Sequence, residues 1–312
     1  GEIVQAELVR GLPRPQENFR EKLAWVGNHP VAMPMPSLGD HQHYALAADG
    51  VILGGKQEKK TKTHKHSVAV HLWKRPKDIK EQIVVAGCDP SLFLIEAHLH
   101  VSFFTSTIVG RTMGSLSAIQ ALQRGEVHIA GIHVVDPVTG EFNRPFMKKY
   151  LKGGSYTVVR FAGWEQGLMV KAGNPKRIRS VSDLVKKGVR CVNREPGSGA
   201  RLLLDRLLKK EGILTQHIHG YQSVAHSHLD VGRVIAEQQV EVGIGVRAAA
   251  KWHGLDFIPL QEERYDFVIP SKFIKTHPRI SQFLDAIVSR PFRMEMEAVG
   301  GYDTRETGNI IE

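Results

Sequence analysis

The spacing of apolar positions changes near residue 83. Before it, short runs alternate apolar and polar. Pro13, Pro15, Pro30, Pro34 and Pro36, and Gly11, Gly27, Gly39, Gly54 and Gly55, break these runs, a pattern that predicts short strands. Residues 2–9 and 68–72 read as strands. Residues 44–53 carry an Asp49-Gly50 hairpin signal, and residues 75–82 read as a charged linker. From Ile83 onward, buried strands alternate with amphipathic helices, which predicts a parallel or mixed sheet covered by helices. Strands are predicted at 83–87, 127–134, 156–161, 167–170, 189–192, 240–246, 255–260 and 265–270. Helices are predicted at 91–98, after Gly114, at 180–185, after Ser198, around Val231 to Ile235, at 247–253 and at 278–290. The helix after Ser198 is the clearest: Ala200, Leu203, Leu204, Leu207 and Leu208 form one apolar face, Ser198 can cap it and Gly212 can end it. The tail from Gly300 reads as a turn.

Three strand-to-helix junctions share one grammar: Asp89-Pro90-Ser91, Gly114-Ser115-Leu116-Ser117 and Gly197-Ser198-Gly199. Each sets a hydroxyl beside helix N-terminal amides, which suits an anion, although ordinary N-capping would look the same. Ligands of open α/β sheets gather at the carboxyl ends of strands, so the three loops are expected to line one cleft. Arg194 lies in the third loop, and Arg247 begins a helix near the expected crossing between lobes, where it serves either an anion or hinge packing. His133 and Asp136 end a strand at the cleft; Asp136 reads as a turn former.

Charge adds an asymmetry. The 312 residues carry a net charge of +10, and residues 1–80 hold thirteen Lys and Arg against eight Asp and Glu. A basic balance permits nucleic acid, anionic lipid or small anions without choosing among them. The segment at 56–66, KQEKKTKTHKH, reads as a solvated loop. No apolar run approaches the ~20 residues of a membrane span, and no signal peptide opens the chain, so a cytoplasmic location is expected, with neither membrane nor nucleic acid as a partner. Cys88 and Cys191 both end apolar runs and are expected to be buried free thiols.

The order of elements from residue 82 resembles the type II periplasmic-binding fold. The runs GSLSAIQALQRGEVHIAGIHVVDP, NREPGSGARLLLDRLL and HLDVGRVIAEQQVEVGIGVRAAA resemble the substrate-binding-like domain fused to molybdopterin molybdenumtransferases and to some DNA-binding regulators, which is similar to the effector domain of LysR-type regulators. The resemblance implies an α/β fold with two lobes, one from 82–158 plus 262–312 and the other from 159–261, preceded by a small β-domain at 1–80. That first part resembles the C-terminal β-domain of the same transferases through residues 2–9, Asn18 to Lys22 and the AADGVIL run at 47–53. The chain would then be the C-terminal part of a fusion. It would bind a small oxyanion, molybdate or tungstate, for molybdenum cofactor synthesis, in contact with partners of that pathway or with upstream domains. The alternative is an effector-sensing domain for an organic ligand. The expected ligand-binding set is Asp89, Ser91, Gly114, Ser115, His133, Arg194, Gly197, Ser198, Gly199 and Arg247.

Catalytic and metal motifs are weak. There is no P-loop, no complete dinucleotide fingerprint and no nucleophile elbow. Five His-x-His pairs occur, at 41/43, 64/66, 98/100, 217/219 and 226/228. Without a Cys or HExxH partner they read as surface histidines rather than metal ligands. Cys88 sits at a helix start, and His133 becomes its base only if the fold brings the two together.

Overall fold

The computed structural model describes residues 2–8, 20–34, 48–53, 67–102 and 108–311. The Lys/His-rich segment, the His41/His43 and His64/His66 pairs and residues 44–47 of the predicted 44–53 hairpin lie outside these residues.

Five strands, β1 (Ile3–Leu8), β2 (Arg20–Val26), β3 (His29–Pro34), β4 (Gly50–Ile52) and β5 (Ser67–Leu72), close a barrel in the order β1-β3-β2-β4-β5. Side chains on a strand alternate between faces. Leu23 and Ala32 therefore fill the barrel with Ala6, Ile52, Val70 and Leu72. Their neighbours Ala24, Val26, Val31 and Met33 point the other way, into the core of the α/β part. The predicted linker is instead a helix, α1 (Pro76–Lys80), started by its proline and anchored by Ile79 in the barrel core. Asp49 is not a turn tip. Its carboxylate is fully buried and accepts from Lys22 Nζ (3.1 Å), the Leu23 amide (3.0 Å) and Gln82 Nε2 (3.0 Å), with Lys74 Nζ at 2.8 Å. The Lys22 ammonium beside it is pulled below the ordinary lysine range by burial, an effect that Asp49 partly offsets.

The α/β part runs β6 (Ile83–Gly87), α2 (Leu92–Ser102), β7 (Ile108–Thr112), α3 (Ser115–Gln123), β8 (Ile129–Ile132), α4 (Arg144–Tyr150), β9 (Tyr156–Val170), β10 (Cys191–Arg194), α5 (Gly199–Lys210), β11 (Val224–Ala225), α6 (His228–Ala236), β12 (Val242–Val246), α7 (Arg247–Trp252), β13 (Asp256–Pro270), α8 (Ser271–Thr276), α9 (Pro278–Val288), α10 (Arg290–Val299), β14 (Tyr302–Asp303) and β15 (Ile310–Ile311). The strand path is β11-β10-β12-β9-β13-β8-β6-β7. Two parallel triplets, β7-β6-β8 and β11-β10-β12, flank the antiparallel pair β9 and β13. This is the two-lobed α/β architecture expected of a type II periplasmic-binding fold, with one apolar core holding β6 to β8 and a second holding β10, β12 and α5.

The four short strands predicted at 156–161, 167–170, 255–260 and 265–270 are two strands of 15 residues each. Register shifts at Pro259/Gln261 and Tyr265/Asp266 bend them as they pass from lobe to lobe, and such irregularities let a strand turn without ending. β14 and β15 pair with β9, so the tail from Gly300 is built into the crossing. β7, α4 and α10 lacked a recognised signal: β7 is short and α4 buries no residue fully.

His128 joins the barrel to the α/β part. Its Nδ1 accepts from the Val84 amide (3.0 Å) and its Nε2 donates to the Trp25 carbonyl of β2 (2.9 Å). Burial, with His277 adjacent, depresses its pKa to about 3, so the ring is neutral at physiological pH.

Candidate functional site

The lobes meet at two helix N-termini. α3 opens at Gly114 and α5 at Ser198, whose hydroxyl accepts from the Arg201 amide and donates to the Glu195 carbonyl at 2.9 Å. The Leu116 amide donates across the cleft to the Gly197 carbonyl (3.3 Å). A Cβ on Gly114 would lie 2.9 Å from Ser198 Cβ, and one on Gly199 would lie 2.1 Å from the His133 carbonyl oxygen. Only glycine permits these approaches. The structure is therefore closed, with the α5 start seated on the α3 start and on His133.

Behind this contact lies a buried polar cluster. Cys88, just after β6, places Sγ 3.2 Å from His133 Nε2, just after β8. His133 Nδ1 donates to Glu263 Oε2 of β13 (2.7 Å), and Gln166 Nε2 of β9 donates to the same oxygen (2.8 Å). Cys88, His133, Gln166 and Glu263 are each at most 4% exposed. Burial by itself would depress His133, but Cys88 and Glu263, on its two nitrogens, hold its pKa up at about 10. His228, first residue of α6, brings its ring centroid 5.9 Å from that of His133 and 5.6 Å from that of Trp164. Burial, then the charges of Arg194 and His133, push His228 well below the ordinary histidine range. Trp164 and Tyr265 wall the cluster, their rings 4.8 and 5.9 Å from His133. Asp89 bonds the Ser91 amide (2.6 Å) and hydroxyl and accepts from the Tyr302 hydroxyl (3.3 Å); burial pushes its carboxyl up to about 6.

Among the described residues, several buried polar atoms here have no hydrogen-bond partner: Arg194 Nη1, both ring nitrogens of His228, Trp164 Nε1, Gln166 Oε1 and Asp89 Oδ2. Such groups are costly in a folded protein unless something else meets them. A groove of about 860 Å³ opens on the crossing strands and borders the cluster at Trp164, Glu263 and Tyr302.

The sequence profile of the PBP superfamily domain matches residues 98–288. The chain belongs to the PBP superfamily. It is 31% identical over 234 residues to the uncharacterised protein YvgK of Bacillus subtilis, covering 75% of each chain. It is 38% identical over 111 residues to an uncharacterised protein in the 5' region of a ferredoxin gene of Clostridium pasteurianum, 35% of this chain and 97% of that one. Among solved structures, a phosphate-bound protein of Clostridium perfringens, assigned as a phosphate ABC transporter substrate-binding protein, superimposes with a TM-score of 0.53 at 13% identity, covering 71% of this chain and 98% of that one. A LysR substrate-binding domain of Wolinella succinogenes gives 0.41 at 14% identity over 70% and 99%. The two-lobed fold is thus that of a PBP superfamily domain.

Within it, the structure gathers most of the expected residues. Gly114, Gly197, Ser198, Gly199 and His133 meet at the closed cleft. Ser115 Oγ accepts from the His133 amide (3.1 Å) and so holds that histidine. Asp89 and Ser91 sit beside Cys88. Arg194 is fully buried, with Nε and Nη2 on Glu195 (2.9 and 3.0 Å) and Nη2 on the His226 carbonyl, leaving Nη1 open. Arg247 does not join them: its guanidinium pairs with Glu165 of β9 and stacks 4.6 Å from the Phe257 ring of β13, on the crossing strands. Asp136 is a turn former, accepting from the Val138 and Thr139 amides. Two expectations are corrected. The fold does bring Cys88 and His133 into contact. His228, expected at the surface with the other His-x-His members, is fully buried, because a histidine opening an amphipathic helix takes the face that its helix packs. Trp164, Gln166, Tyr265 and Glu263 were not anticipated: they come from the middle of the crossing strands, where the sequence shows only alternation.

Proposed function

We propose that the domain binds a small tetrahedral oxyanion between its lobes, with molybdate or tungstate as the first candidates. The observation that carries this reading is the buried, unpartnered guanidinium nitrogen of Arg194, next to the unpartnered Trp164 indole N–H and His228 ring, behind two facing helix N-termini. Convergent donors with little free counter-charge are what an oxyanion site requires. The Glu195 carboxylate takes the other face of Arg194 and leaves one edge for a ligand. Binding stabilises the closed state in which Leu116 meets Gly197, a hinge closure carried by β9 and β13. The choice of molybdate rests on the likeness of three sequence runs to the domain fused to molybdenumtransferases, and so does the proposed role in molybdenum cofactor synthesis.

A second reading, effector sensing of an organic ligand, draws support from the Trp164 and Tyr265 wall, since organic ligands use apolar surface. Calorimetry separates the two. Heat from molybdate or tungstate supports the first. No heat from molybdate, tungstate, sulfate or phosphate removes it.

A further inference from the structure

His228 poses a problem that an anion alone does not solve. Its ring is fully buried and neither nitrogen has a partner among the described residues. A neutral imidazole offers one lone pair as well as one N–H, and a lone pair is of no use to an oxyanion. Beside it stand two further groups that become lone-pair donors once a cation displaces the proton between them: the ligating atoms of Cys88, His133 and His228 all lie within 4.8 Å of one another. One thiolate and two imidazoles form the donor set of a tetrahedral, borderline-soft cation. His133 is already oriented as a ligand. Its Nδ1 is fixed on Glu263, which turns Nε2 toward Cys88, the arrangement in which a carboxylate steadies a metal-bound histidine. The charges also close: the Cys88 thiolate and the Glu263 carboxylate balance a divalent ion, while Arg194 is paired with Glu195.

We propose that Cys88, His133 and His228 bind a Zn²⁺-type divalent cation across the cleft. Cys88 and His133 belong to the β6–β8 lobe and His228 to the β10–β12 lobe, so the cation fastens one lobe to the other. Three protein ligands leave a fourth position for water or a small ligand. The inference shares His228 with the oxyanion reading but does not depend on it, because its donors are protein atoms only and no anion is needed to hold the cation.

Equilibrium dialysis of the chelator-treated full chain against Zn²⁺ tests it. One ion per chain is expected, with affinity falling at least tenfold in Cys88→Ser and in His228→Gln. Co²⁺ added to the unmutated chain is expected to give the near-ultraviolet band of a thiolate bound to cobalt, a readout that does not depend on how the variants fold. Absence of Zn²⁺ binding, equal binding in both variants, or a cobalt spectrum without the thiolate band overturns the proposal. Molybdate calorimetry on the chelator-treated protein reads the oxyanion proposal separately.

Discussion

Two of the buried polar clusters among the described residues differ in how completely their groups are satisfied. In the barrel, both Asp49 oxygens are taken, by Lys22, Lys74, the Leu23 amide and Gln82. Between the lobes, Arg194, His228, Trp164, Gln166 and Asp89 each keep a buried atom without a partner. The satisfied carboxylate ties elements together: Asp49 links β2 to the residue before β6 through the Gln82 amide, whose own Oε1 has no partner among the described residues. Unpartnered buried groups are a cost to folding, and these sit where the two lobes close. On the function proposed above, the first cluster is scaffold and the second is the ligand site.

That contrast can be broken by mutation. Asp49→Ala leaves the Lys22 ammonium buried without its carboxylate, and a buried ion pair broken at one partner costs about 3–5 kcal/mol. Denaturant unfolding should show a loss of that size. A loss under about 1 kcal/mol would put Asp49 outside the scaffold.

Acid gives an effect of similar size. His128 is neutral in the fold, with a pKa near 3, against about 6.5 in the unfolded chain. The unfolded state therefore binds the extra proton first. The stability contributed by His128 is complete above about pH 6.5 and is lost as pH falls from there toward 3, by on the order of 5 kcal/mol. Unfolding midpoints across that range should fall, and should fall less steeply in His128→Asn. Equal slopes would remove His128 as the acid-sensitive joint between barrel and lobes.

Closure is tested by Gly199→Ala, whose Cβ would meet the His133 carbonyl oxygen at 2.1 Å. Ligand affinity is expected to fall at least tenfold, about 1.4 kcal/mol. Unchanged affinity would mean that the closed contact is not the binding state. The smallest stability change is expected from His228→Phe. Replacing an unsatisfied buried polar group by an apolar one of similar shape is near neutral or stabilising, within about 1 kcal/mol, while ligand binding should be lost. A large destabilisation would class His228 with Asp49.

The lobes were legible in the sequence because buried parallel strands and amphipathic helices carry opposite periods, as at 83–87 and along α5. The crossing strands were not: Glu165 and Gln166 interrupt the apolar run of β9 and look like a loop, yet Gln166 is fully buried by a partner from β13. The glycine-serine junctions announced the cleft, since capping chemistry is local. The Cys88–His133–Glu263 contact spans three segments up to 175 positions apart, and only the sheet order brings them together. Asp49 was misread for the related reason that Asp-Gly is a turn signal only when nothing buries the carboxylate.

The central claim is that the unsaturated cluster is a ligand site. Calorimetric titration of the full chain with molybdate and tungstate, repeated on Arg194→Met, tests it most directly. The account predicts saturable one-to-one binding that vanishes in the variant while its fold persists by circular dichroism. No heat from either anion, or equal heat in both proteins, would contradict it.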